Sequence, residues 1–181
     1  HVHGKTNKRI LEYLLKRPII AEELKTLSLQ KESLYQSLCL QNAEEFQLSP
    51  GANDFLDFLV ANNIPHTIAT ASQKGNLDFF IKHLKLDRWF DISKIVYDDG
   101  RFSSKLEMFI QAAENLHLSP EQCIVIEDSQ SGIIAALGAK IGKIVGLGPK
   151  EVHECLLGLQ GISEAITSLS QIEKEKLFEM Y

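Results

Sequence analysis

Through the first 47 residues, apolar positions recur at helical spacing and never alternate as strand positions would. Ile10, Leu11, Leu14 and Leu15 follow Thr6, a candidate N-cap, and Pro18 closes that run. Leu24, Leu27, Leu34, Tyr35 and Leu38 then mark one face of one helix or of two. After Ser49-Pro50-Gly51 the texture changes. Phe55, Phe58 and Leu59 predict a helix ending near Asn62-Asn63. Residues 66–71 predict a strand, and Leu77, Phe80, Ile81 and Leu84 a helix. Residues 92–97 predict a second strand, closed by Asp98-Asp99-Gly100. Leu106, Phe109, Ile110, Ala113 and Leu116 mark the next helix. Residues 123–126 form a continuous apolar strand ending in Glu127-Asp128, with a helix over 131–137 stopped by Gly138. Residues 141–145 predict a strand before Gly146-Leu147-Gly148, and the tail adds a helix around 152–159, a short strand and a short helix. Strands alternating with helices of about ten residues predict βαβ units. The expectation is an α/β domain over 48–181, preceded by a helical segment over 1–47.

Composition narrows the function classes. Of 181 residues, 44% are hydrophobic and 24% charged, as in an ordinary globular domain. The net charge of −5 does not suit a nucleic-acid partner. The longest apolar stretch, residues 132–139, is far short of the roughly 20 residues of a membrane span. Cys39, Cys123 and Cys155 are odd in number and widely spaced, which argues against a disulfide framework or zinc site. With no leader visible, the expected location is the cytoplasm. The chain starts at His1, so its length is expected to be that of a fragment.

In an open parallel sheet, ligands bind beyond the carboxyl ends of the strands. There the sequence places Thr70-Ala71-Ser72, then Asp98-Asp99-Gly100 with Lys105 beyond, then Glu127-Asp128-Ser129, then Gly146-Leu147-Gly148. Hydroxyls and free amides at a strand-to-helix turn suit phosphate oxygens, and a lysine adds a compact positive charge. Paired carboxylates suit a hard cation such as Mg²⁺. Together these meet the needs of phosphoryl transfer, which rests on positioning and charge neutralisation. Each piece has a plainer reading. Thr70 or Ser72 would cap a helix, Lys105 would sit in solvent, and Asp98 and Asp99 would form a turn before Gly100. Two acids straight after an apolar strand are harder to explain that way, because unpaired charge near a buried edge is costly.

Other signals fall away. His1-Val2-His3 has the look of a metal pair but no carboxylate nearby. Gly146-x-Gly148 lacks the third glycine of a dinucleotide fingerprint. His66, His83, His117 and His153 are scattered and support no triad. Trp89 and Phe90 read as core, and Lys5, Lys8 and Arg9 as a solvated helix face.

Taken in order, the motifs resemble the haloacid dehalogenase-like hydrolases, in their phosphatase and phosphomutase branch. Thr67-Ile-Ala-Thr-Ala-Ser72 is similar to the family's second motif, Lys105 to the third, and Val125-Ile-Glu-Asp-Ser-Gln-Ser-Gly132 to the fourth, with its acidic pair. The resemblance implies a Rossmann-like parallel sheet flanked by helices, with residues 1–47 as part of a small α-helical cap. It implies a Mg²⁺-dependent phosphatase of small phosphate monoesters, working through an aspartyl-phosphate. It assigns Lys105 and Thr70 to catalysis, Thr70 and Ala71 to the phosphate, and Ser72, Lys74 and Asn76 to the substrate side of that loop. Asp128 and Glu127 fall to the metal. The expected partner is a small phosphorylated metabolite. Two departures stand out. The opening Asp-x-Asp motif, which supplies the nucleophile and the first central strand, is absent. The lysine is followed by Leu106-Glu107-Met108 where sugar-phosphate enzymes carry proline, so its turn must be built differently. A phosphosugar mutase of the β-phosphoglucomutase type, and a non-catalytic relative, remain as alternatives.

Overall fold

The computed structural model describes residues 7–158, 161–162 and 164–178. The His1-Val2-His3 pair, Lys5, the Thr6 N-cap and the side chain of Arg9 lie outside the described residues. Lys8 is exposed and faces Glu12 across one helical turn at 4.0 Å.

The amino-terminal run forms α1 (Asn7–Leu15) and α2 (Ala21–Gln41), so the second apolar run is one helix of 21 residues. Gly51 holds φ at +81°, where a Cβ would lie 2.2 Å from the Ser170 amide nitrogen. This glycine opens α3 (Ala52–Ala61). The rest alternates: β1 (Ala69–Gln73), α4 (Lys74–Leu84), β2 (Val96–Asp98), α5 (Lys105–Asn115), β3 (Ile124–Glu127), α6 (Gln130–Gly138), β4 (Lys143–Leu147), α7 (Lys150–Leu157), β5 (Glu164–Ile166) and α8 (Lys174–Leu177). No strand precedes β1 among the described residues.

All pairings are parallel, as the βαβ pattern requires, but the strands form two sheets where one was expected. β1 pairs with β2, and β4 lies between β3 and β5. The crossover through α5 joins the two sheets. Its Phe109 packs on Ile144 and Ile133, with Ala69 of β1 and Val125 of β3 against the same cluster. On another side Phe55 and Leu59 of α3 pack with Val145, Ile166 and Leu177.

Between the sheets lies an apolar slot of about 560 Å³. One wall is residues 64–69 and the other residues 122–127, with Phe55, Leu59, Phe109 and Ala113 among the side chains that close it. Ile124, Val125 and Ile126 line it and are only half-buried, whereas Ile144 and Val145 on neighbouring β4 are fully buried. β3 thus has the sequence of a central strand and the position of an edge.

Two strand boundaries differ from the expectation, for different reasons. Residues 66–68 lie next to the slot without a ladder on that side, so β1 starts later than the β-prone run predicts. The His66 ring ties this stretch down instead, with Nδ1 2.7 Å from the Ile64 carbonyl oxygen and Nε2 2.8 Å from that of Trp89. Residues 92–94 form a 3₁₀ turn, where a strand was expected, because the Asp91 carboxylate accepts from the Ser93 amide at 3.1 Å. Trp89 is buried, as its sequence position suggested, and donates from Nε1 to Asp57 at 2.7 Å.

Candidate active site

The carboxyl end of β3 reaches the slot at Glu127, whereas β1 meets it only at Ala69 and carries its hydroxyls beyond it. β3 ends in Glu127, which is buried, and the exposed Asp128 follows. The Glu127 carboxylate has partners at both oxygens. Oε2 lies 2.7 Å from Lys105 Nζ. Oε1 accepts from the Ser129 hydroxyl at 2.6 Å and from the Ser129 amide at 3.2 Å. The same hydroxyl accepts from the Gly132 amide at 3.1 Å, which makes Ser129 the N-cap of α6. A Cβ on Gly132 would stand 2.2 Å from the Glu127 carboxyl carbon, so any side chain there would push Glu127 off its present partners. The acidic pair is therefore divided: Glu127 is locked inward, and Asp128 is left outward at the sheet edge.

Lys105 opens α5, its side chain 23% exposed, with the amine 5.6 Å from the Phe109 ring centroid. Its turn is held by serines and a glutamate where proline was missing. The Glu107 amide donates to the Ser104 hydroxyl at 3.4 Å, and the Ser103 amide donates to the Glu107 carboxylate at 2.8 Å. The Ser103 hydroxyl, and then the amide, hold the Glu107 carboxyl below its usual range. This is a capping box shifted by one residue.

Across the slot, Thr70 sits opposite Tyr97 of β2, and its Oγ1 accepts from the Ser72 amide at 3.1 Å. Neither hydroxyl caps α4, whose N-cap is Gln73. Ala71 is exposed and Ser72 half-buried. Lys74 is exposed and bonds Asp78 one turn along at 2.7 Å. Asn76 is buried against α2, bonded to Glu32 and Gln36. Asp98 and Asp99 do form the expected turn, accepting from the Gly100 and Arg101 amides at 3.1 and 3.0 Å, and the second bond holds Asp99 below the usual carboxylate range.

The structure thus joins Lys105 to Glu127 directly and places Asp128 beside them. Residues 70–72 lie apart in β1 of the other sheet, at the register irregularity between Thr70 and Gln73 where the Ser72 amide turns back on Thr70, and Asn76 is tied to the helical segment. The sequence gives Ser129 and Glu107 a place but no role, and gives Glu32 and Gln36 neither. The spacings Ser104-x-x-Glu107 and Ser129-x-x-Gly132 were the available signals for the first two.

No group of three or more His, Cys, Asp or Glu side chains able to hold a metal occurs among the described residues. Asp128 offers one exposed hard-oxygen donor, and Glu127 stands behind it with both oxygens engaged. That donor set fits Mg²⁺, which commonly takes one or two carboxylates and completes its shell with water and substrate phosphate. No helix among the described residues is long and apolar enough to cross a membrane.

Comparison with known proteins gives a consistent result. The chain is 28% identical over 135 residues to a phosphorylated carbohydrates phosphatase of Thermotoga maritima, covering 72% of this chain and 62% of that one. It is 30% identical over 132 residues to a bifunctional riboflavin kinase/FMN phosphatase of Arabidopsis thaliana, covering 70% and 33%. The chain thus spans less than two thirds of the length of these relatives. Among solved structures, a HAD hydrolase of family IA, variant 3, from Entamoeba histolytica superposes with a TM-score of 0.90 at 33% identity, over 98% of this chain and 79% of that one. A β-phosphoglucomutase from Clostridium difficile gives 0.75 at 25% identity, over 96% and 76%. Residues 3–140 match the haloacid dehalogenase-like hydrolases. That match spans most of the chain and runs through β1, the lysine turn and the acidic strand end, so the protein belongs to this hydrolase family.

Proposed function

We propose that this chain forms the phosphate- and metal-holding part of a Mg²⁺-dependent phosphatase acting on a small phosphorylated metabolite. The carrying observation is the Lys105–Glu127 pair: a buried carboxylate neutralised at 2.7 Å, with Asp128 left outward at the same strand end. In this reading the Lys105 amine neutralises negative charge at the reacting phosphate. The Thr70 hydroxyl and the Ala71 amide hold phosphate oxygens, and Ser72 and Lys74 border the substrate. Asp128 would hold the magnesium ion, with Glu127 fixing its orientation, and the ion would draw charge from the phosphoryl oxygens. The nucleophilic aspartate lies outside these 181 residues, on a strand that fits the slot between β1 and β3. The helical segment over 1–47 acts as the cap, excluding water and selecting the leaving group.

The test is phosphate release by the complete protein in Mg²⁺ from a broad panel of phosphate monoesters. The expected result is turnover of at least one, lowered more than about tenfold by Asp128→Ala. No release from any member would overturn the reading. The β-phosphoglucomutase neighbour favours a second reading, a phosphosugar mutase. Product analysis separates the two, because a mutase returns an isomerised sugar phosphate in place of free phosphate.

A further inference from the structure

We propose that Asn76 is a positioning residue that latches the helical cap onto the phosphate-holding turn, making cap docking and the order of that turn a single event. The proposal rests on the phosphatase reading, which gives the cap and the turn their roles. Its basis is a buried amide shared between two parts of the chain far apart in sequence. Asn76 lies in the first turn of α4, immediately after β1, and is only 8% exposed. Its Nδ2 donates to the Glu32 carboxylate, and its Oδ1 accepts from Gln36 Nε2 at 2.8 Å. Gln36 Nε2 also lies 3.5 Å from the Gly75 carbonyl oxygen. Glu32 and Gln36 are one turn apart on α2 and so share a face. Both polar ends of the buried amide are therefore matched to one helix in one register.

The neighbouring contacts are of another kind. Tyr35 meets Phe80 edge-on with centroids 6.2 Å apart, and Phe46 stacks on Phe79 at 5.3 Å. Such contacts bury area but tolerate sliding, whereas a buried amide bonded at both ends does not. Lys31 pairs with Glu32 at 2.7 Å, so the carboxylate stays neutralised at the seam. A short run of backbone joins Asn76 to Ser72, whose amide closes the turn on Thr70. Lifting α2 strands the Asn76 amide and loosens that turn at its base.

Amide hydrogen exchange on the complete protein tests this without reference to activity. Asn76→Asp sets two carboxylates face to face and removes the donor. Adding Glu32→Gln restores a donor opposite an acceptor with the roles exchanged, while Gln36 still finds an oxygen. In Asn76→Asp, amides of residues 28–36 and that of Ser72 should exchange roughly tenfold faster or more. In the double variant both sets should return toward the parent rate. Unchanged amides of β4 in all three proteins confirm that the core remains folded. The latch is overturned if neither accelerates, if α2 loosens while Ser72 keeps its rate, or if the double variant exchanges as fast as the single one. Failure of the phosphatase reading would show separately, as absent phosphate release whatever the exchange rates.

Discussion

Two lysines at the strand ends look equivalent in the sequence and differ in what surrounds them. Lys74 pairs with Asp78 in solvent, with side chains 64% and 55% exposed. Lys105 pairs with a glutamate only 7% exposed, whose other oxygen is already bonded to Ser129. An exposed pair contributes at most about 1 kcal/mol, whereas removing one partner of a buried pair costs about 3–5 kcal/mol, because the remaining charge is stranded. Urea unfolding should therefore show Lys105→Met destabilised by about 3 kcal/mol and Lys74→Met by less than about 1 kcal/mol. Equal losses would mean that Glu127 is solvated rather than locked. This contrast was only half legible beforehand. Two acids after Ile124-Val125-Ile126 signalled a special strand end, but nothing in their order said which would turn inward. The structure traces that choice to Gly132 and Ser129, which bring the start of α6 against Glu127.

At the scale of the element, the first turn of α5 sets where Lys105 points. Ser103, Ser104 and Glu107 build it, and Glu107 is the titratable member. Its carboxyl is held low in the folded protein, mainly by the Ser103 hydroxyl. The ionised form is thus favoured by folding, and its contribution is complete above the free glutamate value of about 4.3. The contribution fades as pH falls through the lower folded value. Carboxyl NMR should place the Glu107 midpoint below about 4.3. In Glu107→Gln that midpoint disappears, and the turn's amides exchange faster at neutral pH. A Glu107 midpoint at or above the free value would contradict the turn described. Most helices were readable from apolar spacing, and the long α2 resolved an ambiguity that spacing left open. Strand limits were less readable, since a ladder partner decides where a strand begins. Residues 66–68 have strand-like chemistry and no such partner on their slot side.

At the scale of the whole molecule, the slot organises everything else. Its walls are apolar, and apolar surface left against water is unfavourable until something covers it. Half-buried Ile124, Val125 and Ile126 beside fully buried Ile144 and Val145 point the same way: β3 is composed to be covered on both sides. The absence of Asp-x-Asp had already led to the expectation of a sheet lacking a central strand. The split into two sheets and the apolar walls are what the sequence could not display, because they are properties of a space between elements. The central claim is that this chain holds phosphate and metal while the nucleophile comes from a strand outside it. The most direct test is to quench the complete protein during turnover of a labelled monoester and locate the phosphoryl group by peptide mass spectrometry. The account predicts an acyl phosphate on an aspartate outside these 181 residues. A phosphoryl group on Asp98, Asp99, Asp128 or Ser72 would contradict it.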